Sequence, residues 1–159
     1  MAIKLGKLIS WLATVALVTG CAKAPEPPGP IARGRYLVTI SGCNDCHTPD
    51  FPEKGGAVPE EQWLIGVGIG FKGTWGTTYA GNLRLLAQRL SEDEWLPHLR
   101  AQRLTPMPWY SIATMTDDDL RAMYRFIHSL GPAGEVGPAY VAPDGEVTTP
   151  YYDFMPRTD

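Results

Sequence analysis

Apolar residues return every three or four positions in "TDDDLRAMYRFIHSLGP" (residues 116–132), where Leu120, Met123, Tyr124, Ile127 and Leu130 fall on one stripe. That period predicts an amphipathic helix with its stripe in the core. Thr116 stands at the N-cap, and Asp117, Asp118 and Asp119 occupy the first turn, where the helix dipole favours negative charge. The acidic triplet is therefore helix-start chemistry and not a metal site, and Gly131 with Pro132 ends the helix. A second helix is predicted over 31–41, entered through Pro30, with Ile31, Leu37 and Val38 on its apolar side and Ile40 nearby. Gly34 inside it costs about 1 kcal/mol against Ala, a cost that a close helix crossing explains, and the two helices are expected to pack together. "SEDEWLPHLRAQRL" opens with a capping box, Ser91 with Glu94, and turns Trp95, Leu99 and Leu96 inward. Pro97 predicts a bend or a tight first turn there.

The remaining stretches lack this period. Residues 48–82 are rich in Gly and Pro and read mainly as loop. Within them "GVGIGFKGTWGTTYAGN" alternates glycine with large residues, which suits a loop draped over a flat apolar group better than a dinucleotide site. Residues 132–159 are expected to form an extended segment pinned to the domain by Tyr140, Tyr151, Tyr152 and Phe154. No internal repeat is present.

The first twenty residues carry Lys4 and Lys7, then an apolar run to Val18, then small residues before Cys21. That order is the n-region, h-region and cleavage site of a secretory signal, and the run is short for a membrane span. "VTGC" (18–21) resembles the lipobox of bacterial lipoproteins. The resemblance implies an acylated Cys21 as mature N-terminus and a lipid anchor holding the protein at the membrane. It places the domain on the periplasmic side of a bacterial envelope. Residues 21–30, ending in "KAPEPPGP", read as a Pro-rich tether. Removing residues 1–20 takes away two lysines and no acid, so the formal charge moves from −3 to −5. With no Lys/Arg-rich run left, nucleic-acid binding is excluded on electrostatic grounds.

Of three cysteines, Cys43 and Cys46 remain, in "SGCNDCHTPD" (41–50) with His47 directly after. Covalent haem attachment needs two thiols to reach the vinyl groups and an imidazole under the iron. Cys-x-x-Cys-His on one helical turn supplies all three. A zinc site lacks its second pair of ligands, since His98 and His128 stand alone. A thioredoxin-like dithiol would follow a strand, whereas the upstream segment reads as helix. A haem-free thiol oxidoreductase using Cys43 and Cys46 remains the alternative.

A second axial ligand would favour electron transfer; an open position would favour an enzyme or gas sensor. Met107, in "RLTPMPWYS", has proline on both sides, which stiffens the loop that would carry its thioether. Met123 has core spacing, Met115 precedes a helix cap, and Met155 near the chain end is the nearest competitor. His98 and His128 are the next rivals. Trp75, Tyr79 and Asn82 are candidates for contacts with haem carboxylates or the haem edge, or are ordinary anchors. No general acid/base pair or activated nucleophile stands out, so the chain reads as a carrier and not an enzyme.

The order helix, Cys-x-x-Cys-His, loop, helix, Met loop, terminal helix resembles the class I-like cytochrome c family. It is closer to the haem domains in cytochrome subunits of bacterial membrane dehydrogenases for alcohols, gluconate and similar substrates. The carrying segments are "RGRYLVTISGCNDCHTPD", "WGTTYAGNL", "PMPW", "MTDDDLRAMYRFIHSL" and "TTPYYDF". The resemblance implies one haem c held by Cys43 and Cys46, with His47 and Met107 as axial ligands. It implies an all-α cytochrome c fold: three to four short helices around one haem, spanning 31–131, with long Gly/Pro-rich loops. It further implies one-electron transfer between a dehydrogenase donor and a respiratory acceptor.

Overall fold

The computed structural model describes residues 28–158. The signal segment 1–20, Cys21 and most of the 21–30 tether lie outside the described residues.

The two strongest helical patterns form the frame. Helix α1 spans Pro30–Ile40 and the longest helix spans Asp117–Ser129. They cross closely enough that a Cβ on Gly34 would overlap the carbonyl oxygen of Ala122, so only glycine fits there. Arg33 ties the crossing to Asp119 at 2.9 Å. The inward face of α1 is Gly34, Leu37 and Val38; Ile31 and Ile40, expected on the apolar side, point outward. Spacing of 34, 37 and 38 matches one helical face, and 31 and 40 fall off its ends. The long helix buries Leu120, Met123 and Ile127 as expected, and Ala122 and Phe126 as well. Two of its flanks are thus covered, one by α1 and one by the elements that precede it.

Between these helices run α2 (Cys43–His47), a strand pair β1 (Gly70–Gly73) and β2 (Gly76–Tyr79), then α3 (Leu83–Arg89), α4 (Glu92–Arg100) and α5 (Trp109–Ala113). The long helix at Asp117–Ser129 is α6, and β3 (Tyr151–Asp153) ends the order. The Ser91 capping box forms at α4, with Ser91 N–H donating to Glu94 Oε2 at 2.8 Å and Glu94 N–H to Ser91 Oγ at 3.3 Å. Helix α4 continues through Pro97.

The expectation of an all-α fold is corrected. Among the described residues, six helices (40% helical) accompany a three-stranded mixed sheet in the order β2-β1-β3. β1 and β2 form an antiparallel hairpin with Gly73 opposite Gly76, inside the stretch read as loop. β3 joins β1 in parallel, pairing Phe71 with Tyr152, so the tail contributes a three-residue strand to the sheet. Strand-favouring Phe71, Thr77, Thr78 and Tyr79 were masked by glycines that lower any strand expectation. Those glycines have local reasons. A Cβ at Gly73 would run into the Trp75 ring, and Gly76 turns the hairpin at φ +97° against the Val141 carbonyl.

Candidate functional site

Helix α2 is a single turn. Gly42 enters it in a left-handed conformation (φ 66°), and the i, i+3 spacing then sets Cys43 and Cys46 on the same side. Both are free thiols. The turn is anchored from below by the 48–66 loop. Thr48 Oγ1 donates to Asn44 Oδ1 at 2.7 Å and accepts from Leu64 N–H at 2.8 Å, and Gly66 N–H donates to the His47 carbonyl at 2.8 Å. These bonds explain why a loop that looks structureless in sequence is well fixed.

His47 is buried at 8% exposure. Its Nδ1–H donates to the Gly81 carbonyl at 2.7 Å. Burial holds its pKa below the ordinary histidine value, against a smaller upward pull from Gly81. The ring is therefore neutral, with its proton on Nδ1 and its lone pair on Nε2. That is the tautomer a metal-ligating imidazole needs.

Cys43, Cys46 and His47 share the wall of one cavity of about 690 Å³ with Met107. Leu86, Leu99, Ile112 and Ile127 supply much of its apolar lining. That volume lies in the range of about 300–1,000 Å³ typical of small-molecule and cofactor sites. Met107 is half-buried at the wall, between Pro106 and Pro108. The rival ligands separate clearly. Met155 is 45% exposed at the surface. Met115 packs against the core and is absent from the cavity wall, as is the exposed His128. Met123 does reach the wall but is 3% exposed within the core cluster. His98 also lines the cavity.

The thiols are not activated. Burial pushes Cys43 up to about 12, with Asp45 and Cys46 adding to it. Burial and then Asp45 raise Cys46 as well. A dithiol catalyst needs a lowered thiol pKa in electropositive surroundings. Here the neighbouring charge is acidic, which disfavours the oxidoreductase alternative.

The three suggested edge contacts are placed differently from one another. Trp75 stands off the cavity wall, its ring tilted 56° to that of Phe154 at 6.2 Å, and its carbonyl accepts from Tyr140 OH at 2.8 Å. Tyr79 lines the cavity, and its hydroxyl is paired with Thr149 Oγ1 at 2.8 Å. Asn82 lines it too, but its Oδ1 caps α3 through Leu85 N–H at 2.9 Å. Its Nδ2 donates to the Ala133 and Glu135 carbonyls at 2.7 and 3.3 Å. Asn82 thus positions α3 and the segment after α6. Sequence reasoning missed two groups on the wall. Arg89 and Arg103 sit there with His98, and nothing in "RLSEDEWLPHLRAQR" marks them, since Glu92 and Asp93 stand three and four positions after Arg89 as apparent partners. Val136, Gly137, Pro138 and Tyr140 close another side, although nothing in their spacing marks them.

The residues present fit a covalently held haem: two free thiols and an oriented neutral imidazole on one turn, a thioether on the same wall, and an apolar cavity with no Asp or Glu in its lining. Among the described residues no group of three or more His, Cys, Asp or Glu side chains converges as a metal-ligand cluster, and no helix is long and apolar enough to cross a membrane. Comparisons with known protein families, with curated proteins and with solved structures find no match for the chain.

Proposed function

We propose that the chain is a mono-haem c-type electron carrier. The observation that carries this reading is the convergence of Cys43, Cys46, the Nδ1-anchored His47 and Met107 on one apolar cavity. Cys43 and Cys46 would hold the haem by thioether links, and His47 Nε2 and Met107 Sδ would be its axial ligands. Haem in this setting supplies reversible one-electron chemistry at its iron. The chain does the rest. The Gly81 carbonyl keeps the His47 ring from rotating and adds to its basicity. Leu86, Leu99, Ile112 and Ile127 exclude water, which lowers the local dielectric and reduces reorganisation on electron transfer. A bound thioether favours transfer of electrons over binding of small ligands.

The carrier is proposed to face the periplasm, anchored through a lipid on Cys21, and to link a membrane dehydrogenase to the respiratory chain. The lipobox-like "VTGC" supports the anchor. The test is absorption spectroscopy of the chain made with haem-maturation machinery. Haem that stays with the chain under denaturing conditions, and a far-red sulfur-to-iron band in the folded ferric form, are the expected results. A colourless chain, or one that loses haem on denaturation, rejects covalent attachment.

A further inference from the structure

The cavity wall carries two charged side chains, and both are arginines: Arg89 at the end of α3 and Arg103 after α4. His98 lies on the wall with them. Neither arginine has a carboxylate partner among the described residues. Arg103 is held in place by backbone, donating from Nη2 to the His98 carbonyl at 2.6 Å and from Nη1 to the Gln102 carbonyl at 3.4 Å. The three groups sense each other. Burial lowers the His98 pKa, and the positive charges of Arg103 and then Arg89 lower it further. His98 is thereby a neutral donor beside two guanidinium groups.

Most of the other described arginines find acids, and Arg84 is held by backbone carbonyls instead. Arg33, Arg35, Arg100, Arg121, Arg125 and Arg157 all pair with Asp or Glu. Arg89 is exposed at the cavity's rim and Arg103 is half-buried, so both guanidinium groups stand open to an anion entering the cavity. The cavity offers none of its own. An arginine fork matches a carboxylate better than any other common anion-binding side chain. We propose that Arg89 and Arg103, with His98 as an added donor, seat the two carboxylates of the haem held by Cys43 and Cys46. The proposal rests on the haem reading above. It moves the polar end of the site from the Trp75–Asn82 stretch to the α3 and α4 ends. It also gives the cavity a direction: thiols at α2, carboxylates at the arginines.

The ferrous holoprotein, labelled with ¹⁵N at arginine, tests this without any substitution. Nuclear Overhauser contacts are expected from the side-chain protons of Arg89 and Arg103 to the methylenes of the haem carboxyethyl groups. Bound haem whose methylenes contact neither arginine overturns the proposal. Arg89→Gln and Arg103→Gln should each lower the midpoint potential, and the double variant should lower it most, because losing a cation favours the ferric state. Arg100→Gln, which removes a partner of Asp117, should leave the potential in place. A double variant that keeps its far-red band and its wild-type potential also overturns the proposal. Absence of covalent haem in the wild-type chain is a different failure: it rejects the electron-carrier reading, and this one with it.

Discussion

His47 Nδ1 donates to the carbonyl oxygen of Gly81 at 2.7 Å, across 34 positions of sequence. One bond therefore couples the orientation of the proposed ligand to the hairpin's exit, since Gly81 lies two residues past the end of β2. It also couples the site to α3, which begins two residues later under the Asn82 cap. Movement of either element would turn the imidazole.

Replacing Met107 by Ala should open the iron to exogenous ligands. Carbon monoxide should bind the ferrous variant and not the wild type, and the far-red band should vanish from the ferric variant. Unchanged carbon monoxide binding in the two proteins would remove Met107 from the axial assignment and favour a sensor or enzyme with an open position.

Arg84 is buried and donates to the carbonyls of Gly131 at 2.7 Å, Glu61 at 2.6 Å and Leu130. Arg84→Met should cost about 3 kcal/mol, because it removes three bonds from a buried guanidinium, two of them to carbonyls at the end of α6 and one to Glu61. Arg84→Lys should rescue little, since one ammonium cannot span three acceptors in a planar fork. Urea denaturation of the three proteins checks both statements.

Glu92 on α4 bonds Arg125 at 2.8 Å and Arg121 at 3.3 Å on α6. The Arg125 bond, followed by the Arg121 bond against some desolvation, holds its carboxyl below the usual range. A depressed folded-state pKa adds stability above the unfolded value and loses it as pH falls through the folded one. Glu92→Gln should thus cost about 1 kcal/mol at pH 7. The gap to wild type should shrink from about pH 4.5 downward. Denaturant midpoints of both chains, measured from pH 7 to pH 3, report the gap; a gap that widens in acid contradicts the sign.

Ending the chain after Thr149 removes β3 and with it the rings of Tyr152 and Phe154, which lie 5.8 and 6.1 Å from Phe71. Phe71 lines the cavity and is 9% exposed in the full chain. Re-exposing much of that ring should cost roughly 2 kcal/mol. The melting temperature should fall, and an apolar dye should bind the shortened protein more strongly.

Where local chemistry is self-sufficient, the sequence was legible. Thr116, Ser91 and Pro30 start their helices as read, because a cap needs only its own first turn. The α1–α6 crossing was visible in Gly34, a residue whose cost only a close neighbour explains. That Cys43, Cys46 and His47 share one turn and one cavity wall was legible because spacing within a single turn sets it. The sheet was not, because β1 gets its second partner from a strand some 80 residues later, and nothing within Gly70–Gly73 encodes Tyr151. The cavity's arginine wall was hidden for the same reason. Arg89 and Arg103 become neighbours of His98 only once α3 and α4 have folded back.

The parallel pairing of β3 with β1 sets an order of assembly. A chain leaving the ribosome or a translocation pore amino end first presents "CNDCH" about a hundred residues before Tyr151 emerges. Until then one edge of β1 has no neighbour and Phe71 lacks its aromatic cover. The thiols are thus on show while the pocket around them is still unfinished, and the last residues to arrive act as its closing seam.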